Sequence, residues 1–418
     1  MYKTSFVTFV TVVVFVIFEI GPFVASSDAQ TVTQRGFADA RLTFFPQDAA
    51  TDTVNAVGDF LLRDDVFAKP AEWLRLAGGA DVRANTHDQV ERAWRIDVDD
   101  RRPLRPAISL RRATATITYG ALTVDIGRQF VRWGRTDIVA PTDRFAPRDF
   151  LDVIDADFLG VSALRVGVGR GVNTVDVVWQ PWFTPSRVPL LRQRWTPTAV
   201  PSGIVVDDAG AEIPGGSQVG ARWNHVGDRF EAAVSAFDGF NHLPILETAL
   251  SPELGHVGLI RRYPTLRSIG GDVAVPARLF TIKGETAYFS SDTPHTDDYV
   301  LYVVQLERQS GEWVFVGGYA GEAVTARRSI STFAPDRGLT RAIVGRASYT
   351  IDANRTASFE AAVRQNGRGA YAKAEYSQAR GQHLRVTIAA IGIAGRDDDF
   401  LGQYRRNSHG LAAVRYSF

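Results

Sequence analysis

Over the last nine residues the side chains alternate: Gly410, Ala412, Val414, Tyr416 and Phe418 fall on one face, Leu411, Ala413, Arg415 and Ser417 on the other. A repeat of two belongs to a strand whose faces meet different surroundings. The pattern returns along the whole chain. Val386, Ile388 and Ala390 oppose Arg385, Thr387 and Ala389; Ala357, Phe359, Ala361 and Val363 oppose Ser358, Glu360 and Arg364; Val219, Ala221 and Trp223 oppose Gln218, Arg222 and Asn224. No helical period is sustained over a comparable span, and no internal stretch approaches the roughly 18 apolar residues that a spanning helix needs. The chain is therefore expected to be all-β.

Alternation alone serves a soluble sandwich as well as a membrane barrel, because either buries one face of each strand. Connection lengths separate the two. Strands are expected at approximately 35 to 45, 57 to 68, 73 to 84, 107 to 119, 121 to 131, 160 to 168, 173 to 181, 217 to 226, 229 to 238, 265 to 275, 279 to 290, 298 to 308, 312 to 322, 341 to 350, 355 to 365, 370 to 378, 383 to 393 and 408 to 418. Counting back from Phe418, every second connection is four residues or fewer, and the long ones, 85 to 106, 132 to 159, 182 to 216, 239 to 264, 323 to 340 and 394 to 407, all fall on the other side. An even strand number with short turns at one end and long loops at the other marks a bacterial outer-membrane barrel. Eighteen strands are expected; sixteen is the alternative, because 46 to 72 alternates least clearly. Trp73, Trp179, Trp223, Trp313, Tyr349, Tyr416 and Phe418 lie near strand ends, where interfacial aromatics belong.

The first residues read as an address. Lys3 precedes an uncharged apolar run from Phe6 to Phe18, and Ser27-Asp28-Ala29 is a small-x-small cleavage pattern, with Val24-Ala25-Ser26 a second candidate. The expected organisation is a secretory signal over 1–29 and one barrel over 30–418. The 418-residue chain has no cysteine, and so no disulfide or thiolate metal site. Its net charge of +1 implies no nucleic-acid partner.

One segment concentrates charge. Gly127-Arg128-Gln129 leads to Trp133-Gly134, and Pro141-Thr142-Asp143-Arg144 leads to Pro147-Arg148-Asp149. These two motifs, with Ile269-Gly270-Gly271-Asp272 and Gly284-Glu285-Thr286-Ala287-Tyr288-Phe289, resemble a porin-like family of Gram-negative outer membranes that is distantly similar to alginate-export-type barrels. The resemblance implies a barrel and passive or facilitated solute passage, with no particular substrate. The closing strand, with Val414, Tyr416 and Phe418 on one face, is similar to the C-terminal signal read by the barrel insertion machinery.

The residues support a related expectation. Loop 132–159 is long, rich in Arg and Asp, and stiffened by Pro141 and Pro147, so it can fold into the lumen and narrow it. Opposed charges there would sort solutes. Arg132, Arg135, Asp137, Asp143, Arg144, Arg148 and Asp149 are the candidate constriction residues; structural ion pairs bracing an external loop are an equal alternative. In loop 182–216, Arg187, Arg192 and Arg194 with Trp182, Phe183 and Trp195 could meet an anionic solute or a sugar, or anionic lipid headgroups instead. Lys3, Lys69, Lys283 and Lys373 are the only lysines among 47 basic residues, and arginine suits bidentate anion contacts.

The expected function is a channel for small hydrophilic, arguably anionic, solutes in the outer-membrane lipid, with no cofactor and no metal. A structural or surface-binding barrel with a closed lumen is the second reading. An outer-membrane hydrolase is third, since the seven histidines show no ligand spacing and no Gly-x-Ser-x-Gly elbow occurs. A homo-oligomer stays open, because no interface can be read.

Overall fold

The computed structural model describes residues 31–196, 205–250, 256–329 and 334–418; the expected secretory signal and its cleavage site lie outside them. Eighteen strands form the wall: β1 (Thr31–Phe44), β2 (Ala56–Ala71), β3 (Leu74–Asn85), β4 (Ile108–Tyr119), β5 (Leu122–Gln129), β6 (Val161–Arg170), β7 (Asn173–Gln180), β8 (Gln218–Val226), β9 (Glu231–Phe240), β10 (Thr265–Pro276), β11 (Thr281–Ser290), β12 (Asp298–Ser310), β13 (Trp313–Ala326), β14 (Ala342–Asp352), β15 (Arg355–Arg364), β16 (Gly369–Arg380), β17 (Leu384–Gly395) and β18 (His409–Ser417). Each pairs antiparallel with its chain neighbours, and β18 returns to β1 in a register from Phe37↔Ser417 to Phe44↔Gly410. Gly36 and Phe418 exchange two backbone hydrogen bonds of 3.0 Å across this seam. The sheet is thus closed and leaves no free edge, the condition for a sheet to lie in lipid.

Turns at one end hold two to four residues, and the long connections all project from the other, in the expected parity. Side chains are distributed as lipid demands. Val175, Val177 and Trp179 of β7, Val234 of β9 and Ile269 of β10 are exposed on the outside, while Asp176, Arg222, Asp272, Glu285 and Gln305 are buried inside. A soluble protein has the opposite arrangement. Trp73, Tyr119, Phe230, Phe280, Trp313, Tyr416 and Phe418 stand exposed near the short-turn end, where Trp313 also packs on Tyr349 with ring centroids 4.7 Å apart. Across the inner face, ion pairs such as Arg63–Asp81 (2.7 Å), Arg111–Asp65 (3.0 Å) and Arg222–Asp272 (2.8 Å) pair polar side chains between strands. Among the described residues no helix is long and apolar enough to cross a membrane.

Two features differ from the sequence expectation. β2 runs on through Pro70, at the cost of a register shift between Ala68 and Ala71, because proline has no N–H for the ladder. The connections expected as plain loops at 182–216 and 239–264 together build a three-stranded sheet of Val205–Glu212, His256–Arg262 and Ile245–Leu250, whose first two strands are parallel. The parallel pairing joins segments about fifty residues apart, so neither segment could reveal it alone.

Candidate functional site: the loop inside the barrel

β5 ends at Gln129, whose side-chain amide donates to the Ala163 carbonyl (2.9 Å). The chain then turns inward, and two apolar residues explain why. Trp133 and Phe145 meet edge to face at 5.3 Å, Phe145 meets Phe237 at 5.0 Å, and both join a buried cluster with Val178, Ala287, Phe289 and Leu301 of the wall. The wall makes room with a glycine: a Cβ at Gly220 would lie 2.7 Å from Phe145 and 2.9 Å from Trp133. Burying two large aromatics contributes on the order of 4 kcal/mol, enough to draw the loop inside the barrel.

Polar anchors fix its register. Glu285 of β11 accepts from the backbone N–H groups of Arg135 (2.8 Å), Thr136 (2.9 Å) and Thr142 (2.8 Å) and from the hydroxyls of Thr136 (2.9 Å) and Thr142 (2.8 Å). Arg135 pairs with Asp272 and Glu231. The Asp137 N–H donates to Gln305 (3.0 Å), which returns a hydrogen bond to the Asp137 carboxylate (2.8 Å). Burial acts to raise the pKa of Asp137, but that bond and Lys283 outweigh it and hold the carboxyl below its ordinary range. All these anchors lie on β9 to β12. On the far side, Val153 and Ile154 reach a second apolar cluster containing Ala342, Ala362, Tyr371 and Ile391 of β14 to β17. The loop therefore crosses the lumen.

Within the loop, Asp143 turns its carboxylate back onto the N–H groups of Trp133 (2.5 Å) and Gly134 (2.6 Å) and onto Arg132 (3.3 Å). Asp149 is buried between Arg105 (2.8 Å) and Arg187 (3.1 Å); burial alone would raise its pKa, and the two arginines hold it far below the ordinary range instead. Asp152 is half-buried with no arginine in ion-pair contact among the described residues, so burial and then the neighbouring Asp155 push its pKa up to about 7. Arg132 and Arg148 lie over the Phe158 ring at 4.0 and 4.3 Å, and Arg144 over Phe289 at 4.9 Å. Among the described residues, neither Arg144 nor Arg148 has a carboxylate in ion-pair contact, and Nε of Arg144 is buried with no hydrogen-bond partner.

These two arginines border a cavity of about 330 Å³. Asp143 and Asp155 of the same loop, Asp336 of the β13–β14 connection, and Glu360 and Tyr371 of the wall also line it. The space is large enough for a small solute, and both cationic side chains and carboxylates border it.

The expected constriction set therefore divides. Arg144 and Arg148 line the cavity without a charge partner, while Arg132 and Asp137 remain partly open. Arg135, Asp143 and Asp149 are positioned as braces. Three of the residues expected to make an anion or sugar contact in loop 182–216 are engaged within the protein. Arg187 is buried against Asp149 and Asp100. Arg194 spends its guanidinium on the carbonyls of Val54 (2.9 Å) and Gln47 (2.8 Å), and Trp195 packs on Tyr404 (5.3 Å). Arg192, 3.4 Å from Asp207, is exposed, as is Trp182. Val414, Tyr416 and Phe418 share the outward face. Sequence reasoning missed Glu285, Gln305, Asp155, Asp336, Glu360 and His242 as parts of the site; the alternation set Glu360 only on a polar strand face, and Glu285 appeared only within the Gly284 to Phe289 motif. Among the described residues no three His, Asp or Glu side chains gather as a metal site.

No family model matches the sequence, and no curated protein does either. Solved structures do match the fold. OccAB4 of Acinetobacter baumannii superposes with a TM-score of 0.54 at 11% identity, covering 94% of this chain and 100% of that one. A BenF-like porin from Pseudomonas fluorescens Pf-5 gives 0.53 at 7% identity, covering 94% and 98%. The outer membrane protein OpdK of Pseudomonas aeruginosa gives 0.50 at 12%, covering 92% and 98%. The architecture is that of the eighteen-stranded outer-membrane porins.

Proposed function

We propose that this chain resides in a bacterial outer membrane and passes small hydrophilic solutes by passive or facilitated diffusion, with a preference for anions. One observation carries the reading: a cavity of about 330 Å³ inside a closed barrel, bordered by two arginines that have no carboxylate in ion-pair contact among the described residues and by the carboxylates of Asp155, Asp336 and Glu360. Charges opposed across a narrow hydrated passage sort solutes by sign while the walls sort them by size. Anions would be drawn to Arg144, whose Nε is buried without a hydrogen-bond partner, and to Arg148, which borders the same cavity. The outward row of Val414, Tyr416 and Phe418 would serve the insertion machinery as its recognition face.

The test is single-channel conductance of the folded barrel in a planar bilayer, with reversal potential under a salt gradient, for the parent chain and an Arg144→Ala, Arg148→Ala variant. Open steps whose anion preference falls in the variant are expected. The second reading, a closed surface-binding barrel, is favoured by the loop's crossing to the opposite wall through Val153 and Ile154; a folded barrel without conductance would establish it.

A further inference from the structure

Among the described residues Arg144 and Arg148 have no ion-pair partner; their guanidinium groups lie over the Phe289 and Phe158 rings, and their backbones carry the polar contacts that locate them. Both backbones lead to one residue of the β9–β10 connection. The His242 ring contacts the Arg144 carbonyl through Nε2 (2.9 Å) and the Thr184 carbonyl through Nδ1 (2.7 Å). The His242 carbonyl accepts from the Ser186 N–H (2.9 Å), and the Ser186 hydroxyl accepts in turn from the Arg148 N–H (2.9 Å). The ring is buried and lies flat on Phe183, centroids 5.4 Å apart and planes within 10°. Phe183 is itself wedged against Tyr263 (4.9 Å) and Phe240 (6.0 Å). A ring seated in this way cannot shift without repacking three aromatics.

We propose that His242 is the positioning residue of the arginine pair, and that its Nε2 contact with the Arg144 carbonyl sets the ion selectivity of the passage. The proposal rests on the channel reading and assigns a role to a group that touches no solute. The charge nearest the ring is that of Arg144, from the lumen loop; Arg148 follows through Ser186. Phe183, Thr184 and Ser186 on one side, and Asn241 and Leu243 beside it in its own loop, carry no charge. A neutral imidazole carries one N–H, so the ring donates to one carbonyl at a time, and in the Nε2–H tautomer it is a strut that holds the Arg144 carbonyl.

The two ring nitrogens can be separated by substitution, because a glutamine amide nitrogen takes the place of Nε2 and an asparagine amide nitrogen that of Nδ1. His242→Gln would keep the contact to Arg144, whereas His242→Asn would keep only the contact to Thr184. Both variants stay polar and small enough for the Phe183 seat, and a heat-modifiable gel shift reports whether each barrel forms. The readout is reversal potential in the bilayer, with Arg144→Ala as reference. The expected result is a glutamine variant at the parent value and an asparagine variant that loses at least half of the anion preference that Arg144→Ala loses. Combining His242→Asn with Arg144→Ala should then add nothing further. Equal values for the two amide variants, or additive losses, would overturn the proposal. An Arg144→Ala variant with unchanged reversal potential would instead remove the channel reading of the arginines, and the role of His242 with it.

Discussion

Glu285 receives five hydrogen bonds from three residues of a loop some 145 positions earlier in the chain, and its carboxylate is buried to 2% exposure. Leaving several buried donors unpaired costs on the order of 1–3 kcal/mol each before relaxation. Glu285→Ala should therefore release the 135–142 segment while the barrel, held by its ladder, still forms. Larger and noisier single-channel conductance is expected, with Glu285→Gln intermediate because an amide keeps one acceptor oxygen. Conductance at the parent value in the alanine variant would show that the apolar seat of Trp133 and Phe145 holds the loop alone. His242 gives a second residue-scale expectation. Burial lowers its pKa from 6.5 to about 4, against the two carbonyls that favour a proton. The unfolded chain is then the better proton acceptor, so this contribution to stability is full above about pH 6.5 and is lost as pH falls through about 4. Up to about 3 kcal/mol is involved, at roughly 1.4 kcal/mol per unit. Urea midpoints compared at about pH 7 and about pH 4 should fall further for the parent chain than for His242→Gln, which has nothing to titrate at that position.

At the scale of strands and loops, what could be read in advance depended on whether the pattern was local. Val175, Val177 and Trp179 alternate with Asp176 and Val178 within six residues, so period and face were both legible, and all eighteen strands appear where the alternation puts them. Loop 132–159 stood out by its length, charge and prolines, but its partners were not legible. Arg135 finds Asp272, and Asp149 finds Arg105 and Arg187, only after the sheet has closed. Spacing therefore could not distinguish the bracing residues from those that face the cavity. For the same reason Arg187 and Arg194 looked free: their partners lie on other loops. The outward face allows a direct check of the membrane assignment. Ile269, in the middle of β10, is 67% exposed, whereas its neighbour Ser268 points inward and is buried. Ile269→Arg should destabilise the barrel in vesicles by about 2–4 kcal/mol if the position sits near the bilayer midplane. The same protein in detergent micelles should show a smaller loss, and equal losses in both would argue that lipid is not what this face meets.

For the whole molecule, closure of β18 onto β1 converts local alternation into an inside and an outside. The inside then holds a loop that is pinned to β9–β12 and packed against β14–β17. A passage built this way has its charges on different supports: Arg144 and Arg148 on the loop, Glu360 on the wall and Asp336 on the β13–β14 connection. On the proposed channel reading they act on a solute through the field between them and not through contact with each other. That distinction has a measurable consequence, because a field across water is screened over about 10 Å at 0.1 M salt and about 3 Å at 1 M. The anion preference of the parent chain should therefore be large at low salt and shrink steeply by molar salt. Asp336→Asn with Glu360→Gln should raise it, and Arg144→Ala with Arg148→Ala should lower it, each mainly at low salt. A preference that persists unchanged at molar salt would mean that anions bind the guanidinium donors directly, since a hydrogen-bonded contact in a partly buried site escapes screening. The salt dependence of the reversal potential thus decides whether the barrel filters by field or by binding.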